Sequence, residues 1–179
     1  MFDRVLRRLR ASIEAGAYVV TTHADEEMDD DGLSVFDLER AVRNGTIVER
    51  QRGRETQEQK YVVCGEGTDG IRRGCGRQIQ CDGTGSHHHS VSVVVMAKRA
   101  RESVVTCDIC GRQAARVRRI PRSYGRGKDL LVIQDVPVIS CTHCGESYLT
   151  AATLHEVERI KRERRARARK QEVSVAEFT

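Results

Sequence analysis

Two short cysteine motifs, separated by thirty residues, constrain this chain more than any other feature: Cys107-Asp-Ile-Cys110-Gly and Cys141-Thr-His-Cys144-Gly. Two residues between cysteines let both sulfurs turn onto one ion, and the glycine that follows permits the left-handed backbone that tightens the turn. Four thiolates complete a tetrahedral site with no open position, so Cys107, Cys110, Cys141 and Cys144 imply a structural zinc rather than a hydrolytic one. A redox dithiol would need the strand-to-helix junction of a βαβ unit, and neither motif sits at one. His143, between the last two cysteines, is the lesser candidate for a ligand. Of 179 residues, 39% are hydrophobic, 32% charged and 4% aromatic, which leaves only thin cores. Structural zinc, worth about 10–16 kcal/mol apparent at neutral pH, offsets that shortage.

The compartment follows from the same residues. No apolar run approaches the roughly 20 residues of a membrane span, and the start, MFDRVLRRLR, lacks the apolar core of a signal peptide. A soluble cytoplasmic protein with no membrane partner is expected. In that reducing environment clustered cysteines favour metal ligation, and an odd count of seven leaves at least one unpaired.

Charge divides the chain. Residues 1–95 hold 13 Lys/Arg against 16 Asp/Glu and residues 96–179 hold 18 against 10, so the halves carry about −3 and +8. Two modules of an α+β protein are expected. Phe2, Val5, Leu6, Leu9 and Ile13 form one helical stripe that Gly16 can end. Ala17 to Thr22 is β-branched and aromatic, a strand with His23 at its end. Beyond the acidic run Asp25 to Asp31, Ser34 caps a helix carrying Val35, Leu38 and Val42, with Asp37 at its third position and Asn44-Gly45 as a left-handed stop. Thr46 to Arg50 and Lys60 to Val63 read as two strands joined by a polar connection.

Thr22 to Arg50, THADEEMDDDGLSVFDLERAVRNGTIVER, resembles a family of small bacterial domains of unknown function often encoded beside YgiT-type zinc fingers. The resemblance covers about residues 1–70 and rests on the histidine, an acidic helix with Met, Gly-Leu-Ser, and a helix closed by Asn-Gly. The gene arrangement resembles the MqsR/MqsA toxin–antitoxin pair, whose toxin is an RNA-cleaving enzyme of RelE-like fold. That analogy implies a toxin-like α+β domain but transfers no catalytic residue.

Residues 71–95, IRRGCGRQIQCDGTGSHHHSVSVVV, show no clear alternation until the end, where the sheet needs a further strand. Read one nucleotide later, Ser86 to Ser90 can encode Val-Ile-Ile-Thr-Val, and a stop codon can overlap Met96. The expectation is therefore an irregular junction over 71–103 in which a frameshift between about Thr68 and Gly85 joins two reading frames. The first domain would then lose its closing strand and keep an unpaired edge. Cys64, Cys75, Cys81 and His87 to His89 have no C-x-x-C pairing and read as accidental neighbours rather than a second metal site.

Between the cysteine pairs, Ala115 to Ile120 alternates, RSYGRGKD is a turn, and LLVIQDVPVISC is a strand, with Pro137 at an edge or bulge. A helix follows from Thr150 or Thr153, the latter forming a capping box with Glu156, with Leu154, Val157 and Ile160 on one face. The stretch DVPVISCTHCGESYLTAATLHEVERIKR resembles the YgiT-type zinc finger of MqsA-like antitoxins over about residues 104–162. That resemblance implies binding to a cognate toxin or to the chain's own N-terminal domain. MqsA-like antitoxins continue into a helix-turn-helix domain, and the length remaining here does not provide for one. Residues 163–179 are a basic helical tail, a solvated extension or a contact for an RNA or DNA backbone, with the acidic run Asp25 to Asp31 as an intramolecular alternative.

For RNA cleavage the available groups are His23, Arg54, Lys60 and Tyr61, and nothing in the sequence gathers them. Arg50, Arg52 and Arg54 read as a solvated connection. The functional expectation is a zinc-binding, toxin–antitoxin-related interaction protein whose toxin-like domain is inactive. Its competitors are a metal-independent ribonuclease restrained in cis by the zinc module, and nucleic-acid binding through the basic helix.

Overall fold

The computed structural model describes residues 2–52, 59–70, 72–75, 93–95, 105–172, 174 and 176. Helix α1 spans Asp3–Glu14, and strand β1, Tyr18–Thr21, follows a turn at Gly16 with φ +60°. Helix α2 is Thr22–Asp30 and α3 is Val35–Asn44; strands β2, Thr46–Arg52, and β3, Gln59–Glu66, come next. Short strands β4, Arg72–Cys75, and β5, Val93–Val95, lie within the junction. The region of the cysteine motifs supplies β6, Ala115–Tyr124, β7, Leu131–Cys141, and β8, Ser147–Thr150, then helices α4, Ala151–Arg162, and α5, Arg164–Arg167. The protein is α+β, as its pattern of periodicities predicts.

The strands form two antiparallel sheets, one ordered β5-β1-β8-β7-β6 and one ordered β2-β3-β4. Strand β1 therefore lies inside the sheet of the cysteine motifs: Val20 is opposite Leu149 and Thr21 opposite Tyr148 on one side, while Tyr18 is opposite Val95 on the other. All four of its residues are buried, which explains why its apolar run does not alternate. One core takes Tyr18, Val20, Met28 and Leu38 from the N-terminal half together with Tyr124, Val138, Leu149, Leu154 and Val157 from the C-terminal half. Val19 faces the opposite side and packs with Cys107, Ala115, Ile139, Cys141 and Tyr148. On its other side β1 pairs with β5, the terminal strand of the sheet, whose Val93, Val94 and Val95 are the end of the junction where alternation reappears.

Three local expectations need correction. Gly45 has φ −81° and ψ 174°, extended rather than left-handed. Its role is close approach: a Cβ there would sit 2.3 Å from the Ala41 carbonyl oxygen and 2.7 Å from that of Cys64. Asn44 pins the same corner, donating to the Glu66 carbonyl at 3.0 Å and accepting from the Glu66 N–H at 2.9 Å. His23 belongs to α2, not to a strand end, because Thr21 caps that helix by accepting from the Ala24 N–H. The basic tail is also less helical than its propensity predicts: α5 stops at Arg167 and Ala168 is extended. With no apolar stripe beyond Ile160 there is no packing to hold a longer helix.

Other local rules hold. Ser34 and Asp37 make the capping box, and Thr150 rather than Thr153 caps α4, accepting from the Thr153 N–H. Pro121 lies at the register shift between Ile120 and Arg122, where the β6–β7 ladder is interrupted. Pro137 is opposite Arg119 on β6, beyond the Ile139 and Ser140 positions where β8 pairs with β7, so on that side it stands at an edge. Arg54, the connection 53–58, Cys81, His87 to His89, the shifted-frame segment Ser86 to Ser90 and Met96 lie outside the described residues.

Asp37 also ties the Thr68 loop to α3, accepting from its N–H at 2.7 Å and from its hydroxyl. Burial pushes this carboxyl up, but hydrogen bonds from Ser34 and Thr68 outweigh it and hold it at about 2. Its folded value lies below the unfolded one of about 3.9, so its stabilisation is complete above about pH 5 and lost as pH falls towards 2. Asp37→Asn should cost about 2.5 kcal/mol at pH 7, and the gap to the native chain should narrow below pH 5. Urea unfolding of both chains at stepped pH measures it; a gap constant down to pH 3 contradicts this account.

Candidate metal centre

The two cysteine motifs are built alike. Cys107 N–H donates to the Arg112 carbonyl at 2.8 Å and Cys141 N–H to the Glu146 carbonyl at 2.9 Å. In each turn the glycine N–H closes back on the first cysteine carbonyl, Gly111 on Cys107 at 2.8 Å and Gly145 on Cys141 at 3.0 Å. Those glycines have φ +72° and +78°, the left-handed conformation that a side chain would strain. Cys107 follows the isolated Val105–Ala115 bridge and Cys141 ends β7, so the β6–β7 ladder holds the two turns face to face.

All four sulfurs lie within 4.8 Å of one another, a cluster that could hold a metal ion. Cys107 Sγ is 3.8 Å from Cys144 Sγ, and Cys110 Sγ is 3.8 Å from Cys141 Sγ. A tetrahedral ion with metal–sulfur bonds of about 2.3 Å spaces its ligands by about 3.8 Å. A disulfide needs about 2.05 Å. The donor set and its spacing therefore fit one tetrahedral ion. His143 is exposed and stands outside the cluster among the described residues.

The ligand environment is uneven. N–H groups of Cys144 and then His143 point at the Cys141 sulfur and bring its thiol down to about 7. Burial pushes the Cys107 thiol up, against N–H bonds from Cys110 and Ile109, and burial lifts Cys144 to about 12. Crowded thiolates repel one another, and a divalent cation at their centre is what allows all four to ionise. Tyr148, fully buried on β8, accepts the Asp108 N–H at 3.0 Å and braces the first turn from below. The sequence placed Tyr148 in no role, although a lone aromatic in a strand beside a metal motif was a usable signal.

A second cluster joins the halves of the chain. Buried Asp25 on α2 accepts from Arg122 Nη2 at 2.9 Å and from the Tyr124 hydroxyl at 3.1 Å. Arg122 Nη1 also reaches Glu26 at 2.9 Å, and Asp29 accepts the Gly125 N–H at 2.7 Å and Lys161 Nζ at 3.2 Å. The acidic run thus meets the β6–β7 hairpin and the end of α4. Asp25, Met28 and Asp29 share a helical face of α2, on which Asp25 and Met28 are buried. On the other side of α4, Glu39 is 5% exposed, accepts the Tyr18 hydroxyl at 2.7 Å and lies 2.7 Å from His155 Nε2. Phe36 stacks on that imidazole with ring centroids 5.4 Å apart.

The groups considered for RNA cleavage are placed on separate elements. His23, 77% exposed in its side chain, lies 3.8 Å from Glu27 on α2. Tyr61 on β3 packs edge-on against Phe2. Lys60 also lies on β3, in the second sheet.

Residues 20–108 match the family model described as Domain of unknown function (DUF4258). No curated protein and no solved structure matches the chain, and no YgiT-type or MqsA-type model matches it. The match begins in β1, runs past residue 70 through β5, and ends just after Cys107, the first sulfur of the cluster. No helix among the described residues is long and apolar enough to cross a membrane.

Proposed function

We propose that this chain is a zinc-binding interaction protein related to toxin–antitoxin pairs, in which an antitoxin-like zinc ribbon is built onto a toxin-like α+β domain. The observation that carries the reading is β1, which lies in register between β5 and β8 and so puts the N-terminal half into the cysteine-motif sheet. A partner strand supplied in cis is the arrangement expected if the ribbon's binding target is its own N-terminal domain. Zinc suits the site because four thiolates at tetrahedral spacing match its preference, and a closed coordination sphere makes the ion structural. When bound, zinc fixes the two cysteine turns; it leaves no position for water or substrate. Cys107, Cys110, Cys141 and Cys144 hold it, the N–H groups of His143, Cys144, Ile109 and Cys110 support the sulfurs, and Tyr148 fixes the first turn.

Elemental analysis of the purified full-length chain should give one zinc per molecule, and RNA incubated with it should stay intact before and after chelation. Absence of zinc removes the metal half of the reading. Cleavage that appears on chelation and vanishes in His23→Ala would replace it with a ribonuclease restrained by its own ribbon.

A further inference from the structure

Cations of the C-terminal half separate into those already neutralised and those left facing water. Arg122 pairs with Asp25 and Glu26, Arg126 with Asp30, and Lys161 with Asp29 and Glu158. The tail is partly neutralised as well: Arg159 and Arg167 share Glu156 and Glu163, and Arg164 reaches Asp129. Arg112, at the first cysteine turn, and Arg116 and Arg118, on β6, are exposed and make no ion pair among the described residues, and the same holds for Arg165, Arg169 and Lys170 of the tail, which lie beyond the sheet. Val117 between the last two is 54% exposed.

We propose that this arginine row is a phosphate-contacting surface for a nucleic-acid duplex. Guanidinium groups grip phosphates in a planar, bidentate way, and Arg116 and Arg118, two residues apart on β6, the outermost strand of its sheet, point to the same side, with Arg112 in the turn just before that strand. Strand addition by an acidic peptide is the poorer fit, because the outer edge of Ala115 is already bridged to Val105. Single-strand binding is also a poorer fit: the one aromatic of β6, Tyr124, is 3% exposed and offers no stacking face. The surface is therefore electrostatic and indifferent to sequence.

Fluorescence anisotropy of the metal-loaded full chain with a labelled mixed-sequence DNA duplex, over a salt series, tests this. Replacing Arg112, Arg116 and Arg118 together by Gln should flatten the slope of log affinity against log salt by about 2.7, the loss of three phosphate contacts. The same positions changed to Lys should keep most of the slope, which separates lost charge from lost fold. A charge-matched tail variant, Arg165→Gln with Arg169→Gln and Lys170→Gln, should keep it too. No duplex binding by the native chain overturns the proposal, as does equal flattening in the tail variant or in the Lys variant. Binding of polyglutamate with the same arginine dependence, without duplex binding, would assign the row to an acidic protein instead.

Discussion

Removing the metal, by chelator or by Cys141→Ser, is expected to melt the five-stranded sheet as a whole and not the β6–β7 hairpin alone. The two cysteine turns close the open end of that ladder, where Ala115 lies opposite Cys141, and β8, which leaves the second turn directly, pairs with β1. Once β8 is free, Val19 and Val20 lose a neighbour and Leu149 leaves a core that also contains Tyr18, Met28 and Leu38. A structural zinc contributes about 10–16 kcal/mol apparent, whereas a whole domain is stable by about 5–15 kcal/mol. If the four sulfurs hold zinc as proposed, its loss is therefore expected to unfold the chain. Amide exchange should show β1 losing protection together with β7 and β8 on chelation, and zinc should restore all three in the native chain. If β1 and α3 keep their protection while only residues 105–150 open, the two halves are stabilised separately and the shared sheet contributes little.

Much of this was legible in advance, and the reason differs from element to element. The gathering of the four cysteines was readable because their spacing is a local property: two residues between sulfurs and a glycine behind them fix the turn whatever surrounds it. Helices α1 and α3 were readable for a similar reason, a 3.6-residue stripe with a cap at Ser34. What escaped was everything set by distant neighbours. Gly45 follows asparagine at a helix end, which locally signals a left-handed stop, yet its backbone is extended and glycine is required there because the carbonyls of Ala41 and Cys64 leave no room for a Cβ. The acidic run gave a net charge, but only the fold shows that Asp25 turns inward while Glu26 stays at the surface. Strand β1 looked like the start of a separate sheet because no rule of period or propensity says which strand it will meet.

Asp25→Ala should be the most damaging single change outside the cysteines, costing about 3–5 kcal/mol. Arg122 is 10% exposed in its side chain and Asp25 7%, so the mutation leaves a buried guanidinium whose main acceptor is gone. Glu26, 61% exposed, and the Thr22 carbonyl at 3.3 Å cannot replace a buried carboxylate 2.9 Å away. Burial pushes the Asp25 carboxyl up despite Arg122, so the pair is held ionised at a cost and its value lies in fixing how α2 meets the hairpin. The double change Asp25→Leu with Arg122→Met should therefore recover most of the lost stability, since apolar replacement of a buried pair is often neutral or stabilising. By contrast Arg126–Asp30, at 80% and 59% exposure, should contribute no more than about 1 kcal/mol and fade with salt. Chemical denaturation of the native chain and the two variants decides the matter: a double variant no more stable than Asp25→Ala would mean that packing, not an orphaned charge, sets the cost.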